Sequence, residues 1–319
     1  MTAIRPELLE ILCSPGDHLP LTDAGDRLTG PDRRGRAFPV VDGIPVFVDP
    51  ATLDSEKLSL HRFYESYGWR RDHSTRLYKS HARFGFGSPA MLTHRRLSNL
   101  AQKRWFDPRG RYFLDCASGA IPAEEYLEYS AGYDFHVCAD LTLSALAGAR
   151  EKLRDRGLYV NCDATVLPFQ DGVFDAILCS HTLYHIPADQ QQSCVREFAR
   201  VLKPGRKCII YYNVGQHSLI GRAGRPLVWL KRATTRLRKH PPIYSHHYPR
   251  EWFEQFRPLF RSIEFHVYRL LPNQVMKYAF PNAPGINTLG RACAQRLHQF
   301  ESADRMLGAA QYLTVVMTR

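Results

Sequence analysis

Short apolar segments alternate with helix-like segments in the middle of the chain. The apolar segments predict strands at 112–116, 135–140, 158–163, 173–180 and 207–212. Between them, residues 143–153 and 188–202 place apolar side chains at helical spacing. Strands that alternate with helices predict an α/β fold, with a parallel sheet and right-handed crossovers. The later β-like stretches 262–270 and 311–318 are expected to complete this sheet as edge strands.

Three regions follow from the pattern. Residues 1–50 form a small β-rich module, in which Asp42-Gly43 separates two apolar runs. Such a pair favours a hairpin, because glycine adopts a positive φ without strain. Residues 51–104 are polar and aromatic, with a short helix predicted at 61–69, and either cover a binding site or act as a connector. Residues 105–319 form the α/β domain, with an insertion at about 215–250.

The overall composition is that of a globular protein with a basic surface. Of the 319 residues, 44% are hydrophobic and 23% are charged, which argues against a disordered chain. The net charge of +12 suggests an anionic partner, such as a nucleic acid, an acidic lipid surface or a phosphorylated substrate. A solvated basic surface is the alternative. Residues 222–240 hold seven Lys or Arg and no acid, and we expect them to bind an anionic membrane surface or an acidic acceptor, or to form a lid.

The cysteines and the N-terminus indicate a cytoplasmic protein. There are eight cysteines and no C-x-x-C pair, and Cys138, Cys162, Cys179 and Cys208 lie in strand-like apolar runs. Free cysteines in such runs behave as small buried hydrophobic residues. The first twenty residues are interrupted by acids and prolines, unlike a signal peptide, and no apolar run is long enough to span a membrane.

Acidic and small residues follow the predicted strands. Open α/β sheets bind ligands at the carboxyl ends of their strands, near the point where the strand order reverses. The first strand ends at Asp115 and is followed by Ala117, Ser118 and Gly119, which allow close approach to the backbone. The second ends at Asp140, placed to accept ribose hydroxyls. Asp163 ends the third, where a carboxylate can accept from an adenine amine.

Four segments together resemble the class I SAM-dependent methyltransferases, a group that includes menaquinone-biosynthesis methyltransferases (SAM is S-adenosylmethionine). They are LDCASGA, VCADLT, CDATVLPFQDGVFDAILCSHTLYHI and FARVLKPGRKCII, in about a third of the chain. The resemblance implies a Rossmann-like fold that binds SAM and transfers its methyl group. It implies that Ala117, Ser118 and Gly119 line the methionine moiety, and that Asp140 and Leu141 hold the ribose and adenine. It also implies that Asp163 and Ala164 hold the adenine edge, and that Ser180 and His181 lie below the sulfonium.

The loop after the first strand departs from the family's usual glycine pattern. The family usually has G-x-G-x-G after the first strand, whereas here Ala117 takes the place of the first glycine and the second is lost to Ala-Ser; alanine still allows close approach. NAD is the competing cofactor, but its pyrophosphate requires G-x-G-x-x-G, which the loop lacks.

The N-terminal module resembles a small zinc-ribbon-like domain fused to some methyltransferases. Only Cys13 remains of its ligands, so we expect no metal there.

The sequence leaves the methyl acceptor open. An oxygen or nitrogen acceptor needs a base, and His181 and His185 follow the fourth strand, where the acceptor pocket should open. His246 and His247 are a second option, and for each histidine a structural role is the alternative. We expect a small-molecule, glycan or lipid-linked acceptor. The alternative function is a SAM-binding or RNA-associated scaffold without catalysis.

We predict that the protein binds S-adenosylhomocysteine and does not bind NAD. The reason is that acids end three consecutive strands, Asp115, Asp140 and Asp163, while the loop has no pyrophosphate-binding pattern. Isothermal titration calorimetry with both ligands measures this directly. An absence of heat with S-adenosylhomocysteine at high micromolar concentration would contradict the prediction.

Overall fold

The computed structural model describes residues 4–30, 35–72, 77–80, 88–223, 243–272, 279, 282–304 and 306–319. Within these ranges the chain forms a four-stranded antiparallel sheet and a seven-stranded mixed sheet. Most of the basic segment 222–240 lies outside the described residues. None of the helices that the structure describes has both the length and the apolar character needed to cross a bilayer.

The N-terminal module contains the small sheet. It consists of helix α1 (Pro6–Leu9) and strands β1 (Thr22–Asp23), β2 (Arg27–Thr29), β3 (Ala37–Val41) and β4 (Ile44–Pro45). The predicted hairpin is present, since Val41 pairs with Ile44 and both Asp42 and Gly43 have positive φ, at 50° and 75°.

The module is joined to the α/β domain by backbone hydrogen bonds. The amide of Phe47 donates to the carbonyl of Asn161 (2.8 Å), and that of Cys13 donates to Pro168 (3.0 Å). Cys13 is fully buried. Among the described residues there is no group of three His, Cys, Asp or Glu side chains that could hold a metal, and the expected lack of zinc stays a prediction.

Residues 51–104 are largely helical. Helix α2 (Ser55–Phe63) continues into a π-helical turn (Tyr64–Gly68), so the predicted helix at 61–69 begins six residues earlier than expected. The Asp54 carboxylate caps α2 by accepting from the amides of Glu56 (3.0 Å) and Lys57 (2.9 Å). Helix α3 (Pro89–Ala101) follows, with Ser88 as its cap.

The central sheet confirms the predicted Rossmann-like α/β fold. Its strands, in chain order, are β5 (Gly110–Cys116), β6 (Tyr133–Asp140), β7 (Gly157–Asn161), β8 (Phe174–Ser180), β9 (Leu202–Asn213), β10 (Ser262–Arg269) and β11 (Tyr312–Thr318). Their order across the sheet is β10-β11-β9-β8-β5-β6-β7. Strands β5 to β9 pair in parallel, and β11 is antiparallel to both β9 and β10.

The position of β11 corrects the expectation that both late strands lie at an edge. Of these two strands, only β10 lies at an edge of the sheet; β11 is paired on both sides. Nearly every residue of β11 is buried, including its polar Thr314, whose hydroxyl donates to Gln102 Oε1 (2.7 Å). A strand buried on both faces is typical of a sheet interior, and this burial depends on distant segments.

Helices cover both faces of the sheet. Helices α4 (Leu143–Leu153) and α5 (Gln191–Val201) confirm the two predicted ones. They are followed by α6 (Leu219–Ala223) and α7 (Pro284–Glu301), which packs on α3 through buried His94 and Glu301. Short 3-10 helices lie at Pro50–Thr52, Gln102–Trp105, Glu124–Glu128, Arg154–Arg156, Leu183–His185, Gly215–His217 and Arg250–Phe256.

The hydrophobic core lies on both faces of the central sheet. Neighbouring residues of a strand point to opposite faces, so Phe113 belongs to one cluster and Leu114 to the other. All eight cysteines are free thiols and seven are buried, which confirms the expectation for Cys138, Cys162, Cys179 and Cys208.

Asp175 fixes the start of β5 against β8 and β9. Its buried carboxylate accepts from the amides of Arg111 (2.9 Å) and Tyr112 (3.1 Å) and from Lys203 Nζ (2.9 Å). Burial raises the pKa of this carboxyl, but the hydrogen bonds outweigh burial, so the pKa lies below its usual value.

We predict that Asp175→Asn lowers the free energy of unfolding by about 2 kcal/mol at pH 7, because it weakens hydrogen bonds to a charged group. A depressed folded-state pKa stabilises the protein above the unfolded pKa of about 4. The difference between variant and wild type should therefore shrink as the pH falls through the folded pKa. Urea unfolding measures this. Asp26→Asn, at an exposed ion pair with Arg27, is the control and should change little.

Candidate functional site

One cavity of about 1110 Å³ opens where the strand order reverses. It lies at the carboxyl ends of β5, β6 and β8, between β5 and its neighbours on both sides. Parallel strands bring these ends to the same edge of the sheet, so the residues that follow each strand face a common space. Residues 116–118, 140–142, 162–164 and 180–182 all line it.

Asp140 organises the loop that follows β5. One carboxylate oxygen accepts from the amide of Gly119 (2.9 Å), and the other accepts from the amide (2.9 Å) and hydroxyl (2.8 Å) of Thr142. Burial raises the pKa of Asp140 to about 6, although these hydrogen bonds oppose the shift. Ala117 adopts φ 57°, a left-handed conformation that costs a non-glycine residue roughly 1 kcal/mol. Glycine adopts this conformation without strain, which fits the glycine of the family's G-x-G-x-G pattern that Ala117 replaces.

Asp163 is held by a residue that the sequence analysis missed. Its Oδ1 accepts from the amide (2.9 Å) and hydroxyl (2.8 Å) of Thr165. Its Oδ2 accepts from Lys57 Nζ (2.5 Å), which also donates to Thr165 Oγ1 (3.0 Å). Lys57 belongs to α2 and is mostly buried, so the segment before the α/β domain completes this end of the cavity. A lysine on a polar helix, about a hundred residues from its partner, carries no local signal of this contact.

Most residues predicted to bind the cofactor line the cavity. These are Ala117, Ser118, Asp140, Leu141, Asp163, Ala164 and Ser180. Gly119 contributes through its amide and through space, since a Cβ there would lie 2.3 Å from the Trp69 ring. Asp115 does not belong to the lining. It is 1% exposed, with Oδ2 3.4 Å from His136 Nε2 on β6, because its side chain precedes the end of the strand.

Aromatic side chains of the segment 51–104 form one wall. Leu60, His61, Tyr64 and Trp69 line the cavity. The rings of Tyr64 and Trp69 stack with centroids 5.1 Å apart and an interplanar angle of 24°. The indole nitrogen of Trp69 is buried, with no hydrogen-bond partner among the described residues. From the sequence, this segment could either cover a binding site or act as a connector; in the structure it lines the cavity.

The other half of the cavity begins at Ser180 and is rich in tyrosine. Ser180 Oγ lies 2.8 Å from the hydroxyl of Tyr126. The ring of His181 lies among Tyr268 (5.3 Å), Tyr312 (5.6 Å) and other aromatic rings. His181 itself has φ 58°, so its backbone adopts a left-handed conformation in the turn after β8.

His181 and His185 have different hydrogen-bonding states. His181 Nε2 is 2.9 Å from Arg269 Nη2, and since a guanidinium only donates, Nε2 accepts. This contact favours a role for His181 in positioning Arg269. His185 Nδ1 donates to the carbonyl of Tyr244 (2.8 Å), which leaves Nε2 unprotonated. Burial lowers the pKa of His185 to about 4, so the ring is neutral at pH 7.

The second pair of histidines also lines the cavity. His246 Nε2 is 2.7 Å from Glu56 Oε2 on α2. His247 Nδ1 donates to the carbonyl of Asn213 (2.7 Å), and burial lowers its pKa. Both contacts hold residues 243–248 against the cavity, which is a structural role.

Comparison with known proteins finds relatives for the segment that contains most of the strand ends around this cavity. Residues 114–210 match the family of methyltransferase domains. The ubiquinone/menaquinone biosynthesis C-methyltransferases of Yersinia enterocolitica and Yersinia pseudotuberculosis are each 35% identical to this chain over 108 residues. That alignment covers 32% of this chain and 42% of each relative, so the chain spans less than half the length of the curated relatives it matches.

A solved structure shows the same fold. The geranyl diphosphate C-methyltransferase of Streptomyces coelicolor superposes with a TM-score of 0.50 at 14% identity, covering 83% of this chain and 99% of that one. Together these findings confirm the predicted Rossmann-like fold, and they show that residues 114–210 are similar to methyltransferase domains.

We predict that affinity for S-adenosylhomocysteine falls as the pH drops below about 6. The ionised Asp140 accepts hydrogen bonds that its protonated form cannot, and its pKa is about 6. Affinity should therefore be flat above pH 7 and fall by up to tenfold per pH unit below 6. Calorimetry between pH 5 and pH 8 measures it.

Asp140→Asn is the control for this pH dependence. It should bind more weakly at pH 7 and show a nearly flat profile. The folded pKa of Asp140 (about 6) lies above the unfolded value of about 4, so ionising this carboxyl destabilises the folded apo protein increasingly as the pH rises from about 4 to 6. Asp140→Asn removes that cost, so this variant should be no less stable than wild type at pH 7. A variant with the wild-type profile would contradict the role of Asp140.

Proposed function

We propose that this protein transfers the methyl group of SAM to a small-molecule acceptor bound in the same cavity. The observation that carries the proposal is the continuity of one cavity of about 1110 Å³ from Asp140 and Asp163 to Ser180 and the tyrosines beyond it. A pocket of this volume exceeds what a single ligand of drug-like size usually occupies. It therefore has room for a cofactor and a second molecule.

The residues at one end fit the cofactor. Asp140 offers buried carboxylate oxygens for the ribose hydroxyls, and Leu141 follows it at the cavity wall. Ala117 and Ser118 are small enough for close approach of the methionine moiety. Asp163 and Ala164 are placed to hold the adenine, with Lys57 fixing the carboxylate. SAM supplies an electrophilic methyl group when bound, so the protein mainly has to position the acceptor.

The residues at the other end fit that task. The rings of Tyr126, Tyr184, Tyr268 and Tyr312 line the acceptor half and are buried, which excludes water from the reacting atoms. Of the two predicted catalytic histidines, His185 keeps an unprotonated Nε2 and is the one we assign as proton acceptor. Its pKa of about 4 makes it a weak base, so we expect it to help an acceptor that loses its proton easily.

Partners and compartment remain sequence-based proposals. The proposal that the protein binds an anionic membrane surface or a nucleic acid is based on the basic segment 222–240. Most of this segment lies outside the described residues. A cytoplasmic location is supported by the eight cysteines, all of them free.

Transfer of labelled methyl groups tests the proposed function. The full-length protein is incubated with methyl-labelled SAM and a cell extract that has been treated with protease and nuclease and filtered to small molecules. We predict labelled small-molecule product together with S-adenosylhomocysteine. Asp140→Ala should reduce the rate at subsaturating SAM about tenfold or more, because it removes hydrogen bonds to a charged group.

Asp26→Ala, which changes an exposed acid far from the cavity lining, should behave as wild type. Binding of S-adenosylhomocysteine without any labelled product would contradict catalysis and favour the scaffold. Label found only in untreated extract, on protein or RNA, would contradict a small-molecule acceptor.

A further inference from the structure

Two arginines line the acceptor half of the cavity. Arg269 lies at the end of β10 and is only 3% exposed. Arg95 lies on α3 and is half-buried. Both side chains contribute to the same cavity as Ser180, Tyr126 and the other tyrosines. Neither arginine was predicted as a site residue, because both lie outside the four methyltransferase-like segments.

The described residues that contact Arg269 do so through neutral groups. Its Nη2 donates to His181 Nε2 (2.9 Å), and the guanidinium lies over the rings of Tyr268 (4.6 Å) and Tyr312 (4.8 Å). Cation–π contacts stabilise a guanidinium without neutralising it. The hydrogen bond holds the cation at His181, which is the residue that follows Ser180 at the end of β8.

Arg95 lies close enough to Arg269 for their charges to interact. Burial, and to a lesser extent the charge of Arg269, lowers the pKa of Arg95, while Tyr126 and Glu125 oppose this shift. Glu125 accepts from Asn99 Nδ2 (3.3 Å) and lies 3.9 Å from Arg96, and it is not part of the cavity lining. The two guanidiniums therefore raise the positive potential of the space between them.

The charges that line the cavity are divided between its two halves. Among the described lining residues, the carboxylates are those of Asp140 and Asp163, both at the cofactor end. The acceptor half combines two guanidiniums with tyrosine hydroxyls and aromatic faces. A planar guanidinium binds the two oxygens of a carboxylate or phosphate side by side, and such pairs are strongest where water is excluded.

We propose that the methyl acceptor carries an oxyanion, a carboxylate or a phosphate, that binds between Arg95 and Arg269 while its reacting atom lies beside Ser180. This inference rests on the proposed methyl transfer and adds the chemical class of the acceptor. The tyrosine rings bind the apolar part of that acceptor, and the arginines fix its direction in the cavity. A neutral or cationic acceptor would not form a charged pair with either guanidinium.

Calorimetry with simple aromatic probes tests the class of acceptor. The full-length protein, saturated with S-adenosylhomocysteine, is titrated with benzoate, phenyl phosphate and benzamide at millimolar concentrations. Benzoate or phenyl phosphate should bind about tenfold or more tightly than benzamide, because only the anions pair with the guanidiniums. The tighter of the two anions identifies the oxyanion. Equal affinity for all three probes, or no binding of any, overturns the inference.

Matched variants localise the effect. Arg95→Gln should lose most of the preference for the anionic probe, whereas Arg96→Gln, which removes an exposed cation from the same helix, should keep it. Arg269→Lys keeps a charge in the buried position but loses the planar fork, and should weaken the anion several-fold. Thermal unfolding and affinity for S-adenosylhomocysteine should stay near wild type in Arg95→Gln.

The results separate the two proposals. A protein that fails to bind S-adenosylhomocysteine, or that transfers no methyl group, contradicts the proposed function. A protein that does both, but whose preference for the anion is absent or survives in Arg95→Gln, contradicts the inference alone.

Discussion

The parallel pairing of β5 with β6 on one side and β8 on the other is the constraint on which the site depends. In this arrangement residues 116–119, 140–142 and 180–181 leave the sheet at the same edge. The chain then turns away in different directions and leaves a cavity between the loops. Asp175 holds the opposite end of β5, so the register that aligns these residues is fixed from below. A one-residue slip would move each strand-end side chain to the other face.

Polar contacts between distant segments complete the cavity. Lys57 on α2 reaches Asp163, and His246 reaches Glu56 on the same helix. Arg269 on β10 reaches His181 after β8. Each pair joins the central sheet or its C-terminal part to a segment remote in sequence. The strand ends are thus placed by the central sheet alone, whereas segments remote in sequence supply the rest of the lining at both ends of the cavity.

This difference explains how much could be predicted from the sequence. Asp140 and Asp163 were found because an acid after an apolar run is a local pattern, and helix 143–153 because its periodicity is strong. Asp115 was placed in the site for the same local reason, yet its side chain is buried inside the sheet, with Oδ2 3.4 Å from His136 Nε2. Lys57, Arg95 and Arg269 were missed because nothing near them in sequence indicates their partners. His181 was predicted as a possible base from its place directly after β8, and its contact with Arg269 has no signal in the local sequence.

Strand β11 joins two strands that do not otherwise meet. It lies between β9 and β10, so β9 pairs on this side with a strand about a hundred residues further along the chain. The entropy of closing such a loop rises only with the logarithm of its length, and doubling it costs about 0.6 kcal/mol. Sequence can therefore be gained or lost in the connections before and after β10 at little cost to the sheet. Over evolutionary time these connections can therefore vary in length while the sheet, and the cavity at its edge, are inherited intact.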